Sequence, residues 1–160
     1  MSFLDIDENL LKVAELAELV YSPLVDIKEY PENVDVALVE GAVSNKDDLE
    51  RILMVRERTS IVVSLGDCAV TGNVPAMRNL FPMGPIMDRA YKENTARPLG
   101  HAPNSVIPPL LDRVRPVHEV INVDVFVPGC PPPADVILAT VQALLEGKAP
   151  QEAVTSRFGM

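Results

Sequence analysis

Apolar, β-branched runs alternate with helical stripes along the 160-residue chain, and the clearest runs end at Gly41, Gly66 and Gly129. That alternation predicts an α/β protein: a parallel sheet covered on both faces, in a flavodoxin-like doubly wound layout. A third observation qualifies the layout. The chain opens on a helix, where a doubly wound domain begins with a strand at the centre of its sheet, so the fold reads as lacking its first strand. The domain is expected to span residues 1–148, with residues 149–160 as a C-terminal tail.

Each element has a local reason. Ser2 with Asp5 three residues later reads as a helix start, and Phe3, Ile6, Leu10, Val13 and Ala17 recur at the helical period. Leu19 to Tyr21 reads as a short strand halted by Pro23, and Val34 to Val39 as a buried strand ending in Glu40-Gly41. Ser44 or Asn45 caps the next helix, Asp47 and Asp48 suit its positive end, and Leu49, Ile52 and Leu53 supply the inner face. Ile61 to Leu65 is the second clear strand and runs straight into Gly66-Asp67-Cys68; a weaker helix covers Ile86 to Tyr91. Pro98, Pro103, Pro108, Pro109 and Pro116 predict a long surface loop, because proline removes a backbone donor and fixes φ. Val120 to Val127 is a third strand, with Val123, Val125 and Val127 on one side, and it ends in Pro128-Gly129-Cys130. The last helix follows Pro131-Pro132-Pro133, carries Ile137, Val141 and Leu144 inward, and stops at Gly147.

Composition narrows the function. With 48% hydrophobic and 23% charged residues, the chain is neither disordered nor a disulfide scaffold, and its two cysteines settle the second point. Aromatics are 4%, so the core must be aliphatic, and twelve of the 15 prolines fall between Pro75 and Pro133, which makes the second half irregular. A net charge of −9 has the wrong sign for neutralising phosphates, which excludes nucleic acid as a partner. No apolar run approaches the ~20 residues that span a bilayer. Asp5, Asp7 and Glu8 stand where a signal peptide would be basic, so no membrane partner is expected and the protein is expected to be cytoplasmic, with both thiols reduced.

In an open α/β sheet, ligands bind beyond the C-terminal ends of the strands, and both cysteines fall there, each just after a strand. Leu-Gly-Asp-Cys68-Ala and Val-Pro-Gly-Cys130-Pro-Pro both set a glycine close to the thiol, which allows tight backbone approach and amide donation to sulfur. Placement alone leaves two readings: a metal-thiolate site, or two small buried residues. A catalytic thiol pair is disfavoured, since 62 residues separate them and no CxxC is present. Glu40 ends a buried strand at the same sheet edge, where a carboxylate could perturb protons near a cofactor, and is read in preference as simply exposed. His101 and His118 lack a second ligand at metal spacing and are read as solvated. Gly72-Asn73-Val74-Pro75 matches no phosphate-binding motif, and Met77, Met83 and Met87 are read as core or interface filler.

The segments Met1-Ser-Phe-Leu-Asp-Ile-Asp-Glu8, Asp26-Ile-Lys-Glu-Tyr-Pro31, Val39-Glu-Gly-Ala-Val43, Gly66-Asp-Cys-Ala-Val-Thr-Gly-Asn-Val-Pro-Ala-Met-Arg-Asn79 and Phe126-Val-Pro-Gly-Cys-Pro-Pro132 carry a family resemblance. Together they closely resemble the small (delta) subunit of the bidirectional, NAD-reducing nickel-iron hydrogenases, a family that itself resembles the cluster-bearing subunit of respiratory complex I. The resemblance implies an oxidoreductase subunit without an active site of its own. It implies one 4Fe-4S cluster with Cys68 and Cys130 as two of its four ligands, proximal to a nickel-iron site on the hydrogenase large subunit. It also implies electron transfer toward diaphorase subunits that bind flavin and NAD. A complex-I-like or sulfhydrogenase-type small subunit, and a cluster-free interaction module, are the alternatives. The family pattern sets a strand and a Cys-x-x-Cys-His loop directly before Met-Ser-Phe-Leu-Asp, so the remaining two ligands and the first strand are expected upstream of Met1.

Overall fold

Val62 and Val63 are both fully buried, yet they belong to two different hydrophobic clusters. Successive strand side chains point to opposite faces, so the strand that carries them has a core on each side. The structure is a computed structural model that describes residues 4–22, 26–96 and 107–148. Three strands pair in parallel, β1 (Val34–Glu40), β3 (Thr59–Leu65) and β5 (Val125–Val127), in the order β1-β3-β5. A separate antiparallel ribbon joins β2 (Val43–Asn45) to β4 (Leu110–Arg115).

Helices cover both faces of the parallel sheet. On one, α2 (Lys46–Arg58) lays Ile52 and Val55 against Val62, Ala69, Val117 and Ile121. On the other, α6 (Ala134–Leu145) lays Ile137, Ala143 and Leu144 against Val63, Leu65, Val125 and Val127, joined by Ile6 from the N-terminal segment. The predicted α/β architecture is present. β1 pairs β3 directly over its length, and its other edge meets no strand among the described residues.

Several elements depart from the sequence reading. The N-terminal stripe is interrupted: a 3-10 turn covers Leu4–Ile6, Asp7 adopts φ 56°, and α1 (Asn9–Leu16) starts afresh. Among the described residues of the stripe only Ile6 is buried; Leu10 packs against the cluster from its rim, and Ser2 and Phe3 lie outside the described residues. Leu19 to Tyr21 form no strand, since no ladder partner lies beside them among the described residues, though Val20 and Tyr21 pack on the α2-side cluster. Asn45 caps α2, in a reciprocal capping box with Asp48. Leu53 is 49% exposed, and Val55, three residues after Ile52, takes the inner position instead.

β4 lies inside the stretch read as loop, because Pro108 and Pro109 precede it and Pro116 follows it, leaving its own backbone donors intact. Pro98, Pro103 and His101 lie outside the described residues, as does the predicted tail 149–160. The weak helix begins earlier, as α5 (Met83–Asp88), and widens into a π turn at Arg89–Glu93. The third strand is shorter than predicted: residues 120–124 leave the 3-10 turn Val117–Glu119 as irregular backbone, and ladder pairing to β3 begins at Val125. Ahead of β5, Asp124 extends the pairing by other means: its N–H donates to the Val62 carbonyl at 2.9 Å, and its Oδ2 accepts from the Val62 N–H at 2.7 Å. In α6, Val141 is half-buried and Thr140 and Ala143 are buried beside Ile137 and Leu144. Gly147, at φ 75°, turns the chain out of the helix.

Candidate metal centre

Leu65 and Val127 are register partners on adjacent parallel strands. Each cysteine stands three residues beyond one of them, so the two loops emerge side by side at the C-terminal edge of the sheet. Gly66, at φ 84° and ψ 158°, turns the first loop from β3 into the short helix α3 (Asp67–Thr71), on whose first turn Cys68 sits. This backbone conformation is almost confined to glycine. A Cβ on Gly66 would sit 3.5 Å from the Gly129 carbonyl oxygen, so the two loops pass in near contact.

Three hydrogen bonds join the loops. The Gly66 N–H donates to the Val127 carbonyl at 2.8 Å, the Asp67 N–H donates to the Gly129 carbonyl at 2.8 Å, and the Gly129 N–H donates back to Asp67 Oδ1 at 2.7 Å. Cys130 follows Gly129 on a stretch without helix or strand, ahead of a cis Cys130–Pro131 bond. Cys68 is half-buried and Cys130 exposed. Burial, foremost, pushes the Cys68 thiol up; the nearby negative charges of Cys130 and Asp67 push the same way, and a backbone N–H of Val74 at its sulfur opposes them.

Beyond α3 the chain turns through Gly72 into the single-turn helix α4 (Asn73–Ala76) and a 3-10 turn at Met77–Leu80. Arg78 and Asn79 fasten this run to the β2–β4 ribbon. Arg78 donates to the carbonyls of Ser44 and Leu111, both at 2.9 Å, and the Asn79 side chain both accepts from and donates to the Val114 backbone at 2.8 Å.

The other sequence candidates do not converge here. Glu40 is exposed at the end of β1, and His118 is exposed, edge-on to Phe126 with ring centroids 5.7 Å apart. Met77 is 62% exposed and Met83 and Met87 half-buried, so none is core filler. Among the described residues no group of three or more His, Cys, Asp or Glu can hold a metal ion. Sequence reasoning missed Asp67 and the Arg78–Asn79 pair. The signal for Asp67 was its place between a strand-ending glycine and a cysteine; Arg78 and Asn79 had none, since their partners lie more than 30 residues away.

Residues 1–144 match the family described as NADH ubiquinone oxidoreductase, 20 Kd subunit. The chain belongs to that family. Among curated relatives of this 20 Kd subunit family member, a vhu hydrogenase subunit of Methanocaldococcus jannaschii is 38% identical over 94% of this chain and 53% of its own length. The NAD-reducing hydrogenase HoxS subunit delta of Cupriavidus necator is 41% identical over 92% of this chain and 73% of that protein. The chain thus spans about half the length of the first relative and about three quarters of the second. A solved chain from the crystal structure of an NAD+-reducing nickel-iron hydrogenase in the H2-reduced state superposes with a TM-score of 0.89 at 37% identity. That match covers 99% of this chain and 87% of the other. No helix among the described residues is long and apolar enough to cross a membrane.

Proposed function

We propose that the chain is the electron-transfer small subunit of a cytoplasmic, NAD-reducing nickel-iron hydrogenase. In this reading Cys68 and Cys130 hold one side of a 4Fe-4S cluster proximal to the nickel-iron site of a large subunit. The observation that carries it is the pairing of two cysteine loops at equal offsets from register partners, bonded to each other through Asp67 and Gly129. Family membership and the likeness to hydrogenase subunits support it.

The donor chemistry fits half of such a cluster. Two cysteines stand at a common sheet edge, and a backbone N–H already serves one sulfur. A 4Fe-4S cluster takes four thiolates, and the 160 residues hold two cysteines, so the other two ligands would come from outside this sequence. When bound, the cluster supplies a one-electron relay. The chain's part is to hold two ligands at fixed spacing, donate hydrogen bonds to sulfur, and keep one thiol half out of water. Diaphorase subunits with flavin and NAD would complete the assembly.

The donor count favours a second reading, a cluster-free interaction module. Exposed Val74, Met77, Leu80 and Phe81, adjoining the Cys68 loop, suit either role as a docking surface. Replacing Cys68 or Cys130 by Ser in the complete assembly separates the two. Loss of the visible iron-sulfur absorption and of hydrogen-dependent NAD reduction is expected from each; wild-type iron content and activity in both variants would leave the interaction module.

A further inference from the structure

Asp67 stands next to one cysteine in sequence and is bonded to the residue before the other. Its backbone N–H donates to the Gly129 carbonyl at 2.8 Å and its carboxylate Oδ1 accepts from the Gly129 N–H at 2.7 Å, a closed pair across 62 residues of chain. Between β5 and α6 the Cys130 loop has no helix or strand of its own, and Gly129 adopts φ 140°. A backbone N–H at such a turn needs an acceptor, and here a side chain supplies it.

We propose that Asp67 is a positioning residue: its carboxylate sets the Cys130 loop against the Cys68 loop, and its negative charge lowers the reduction potential of an iron-sulfur centre held between them. The first half rests on the hydrogen-bond pair alone; the second rests on the functional reading above. A fixed negative charge beside a redox centre disfavours the added electron, and net charge with hydrogen bonding are the protein's levers on such potentials.

Two variants of the anaerobically purified assembly separate the roles. In Asp67→Asn the side-chain oxygen still accepts from Gly129 while the charge is gone. In Asp67→Ala both are lost and the Gly129 N–H is left without its acceptor. Three readouts are used: bound iron, the midpoint potential from a redox titration followed by electron paramagnetic resonance, and hydrogen exchange across residues 128–131. Asp67→Ala is expected to lose exchange protection in that loop and to retain its cluster about 10- to 100-fold less firmly, the scale for losing an outer-shell partner. Asp67→Asn is expected to keep protection and iron, with the potential moved positive. Wild-type exchange and iron in Asp67→Ala would overturn the positioning role, and an unmoved potential in Asp67→Asn would overturn the charge effect. A wild-type assembly without any cluster signal sinks the electron-transfer reading and the charge effect with it, while the exchange measurement still decides the positioning role.

Discussion

Cys68 and Cys130 leave neighbouring strands at the same offset, yet their loops are built in opposite ways. The Cys68 loop folds at once: Gly66 turns it, the N–H groups of Ala69, Val70 and Gly72 donate to the Gly66 and Cys68 carbonyls, and Arg78 with Asn79 ties the downstream run to β4. The Cys130 loop has no repeating structure before Ala134, and its cysteine is the more exposed of the two. Its geometry is borrowed, through Asp67, from the first loop. A site split between a self-supporting loop and a dependent one should fail unequally when each is perturbed.

The largest expected effect is at Gly129. A Cβ there would lie 2.5 Å from the Pro132 Cα and 2.8 Å from the Pro132 nitrogen, overlaps with rigid backbone, at a φ of 140°. Strain and overlap together cost on the order of 3 kcal/mol in Gly129→Ala. Cys130, the next residue, is expected to shift, and on the proposed cluster reading bound iron is expected to fall. Wild-type iron content and melting temperature in this variant would break the comparison at its dependent side.

Gly66→Ala meets backbone strain without overlap, since its nearest neighbours would stand 3.5 and 3.7 Å away. About 2 kcal/mol of stability is expected to be lost, with more iron kept than in Gly129→Ala. A chemical denaturation series on both variants reads the order directly, and the reverse order would show that overlap at Pro132 is relieved by movement.

Smallest is Asn79→Ala, which removes the side chain paired with the Val114 backbone but leaves Arg78 in place. A loss of about 1 kcal/mol is expected, because the freed Val114 N–H is only partly shielded and Arg78 still ties the run to β4. Exchange protection should drop at Val114 while residues 128–131 stay unchanged; a drop in both places would mean that the first loop is less self-supporting than its bonding indicates.

The fold was legible wherever a segment's own pattern sufficed. Val34 to Val39 and Ile61 to Leu65 read as strands because a strand buried on both faces is continuously apolar, and the caps of α2 and α6 are local chemistry at Asn45 and around Pro133 and Gly147. Leu53 was misplaced because Leu49, Ile52, Leu53 and Val55 are all apolar; which of them face inward depends on how α2 is rotated against the sheet. Leu19 to Tyr21 carries strand-forming residues, but a strand also needs a neighbour.

The sequence by itself therefore determined the architecture, the aliphatic core and the two cysteine-bearing turns, since periodicity, capping and glycine conformation act over a few residues. Tertiary structure decided which turns meet and what holds them: the Leu65–Val127 register, the Asp67–Gly129 pair, the anchoring of Arg78 and Asn79 on β4, and the Asp124 bond to Val62. Each joins residues more than 30 positions apart. Such contacts depend on strand order and chain path, which the local pattern around either partner does not encode.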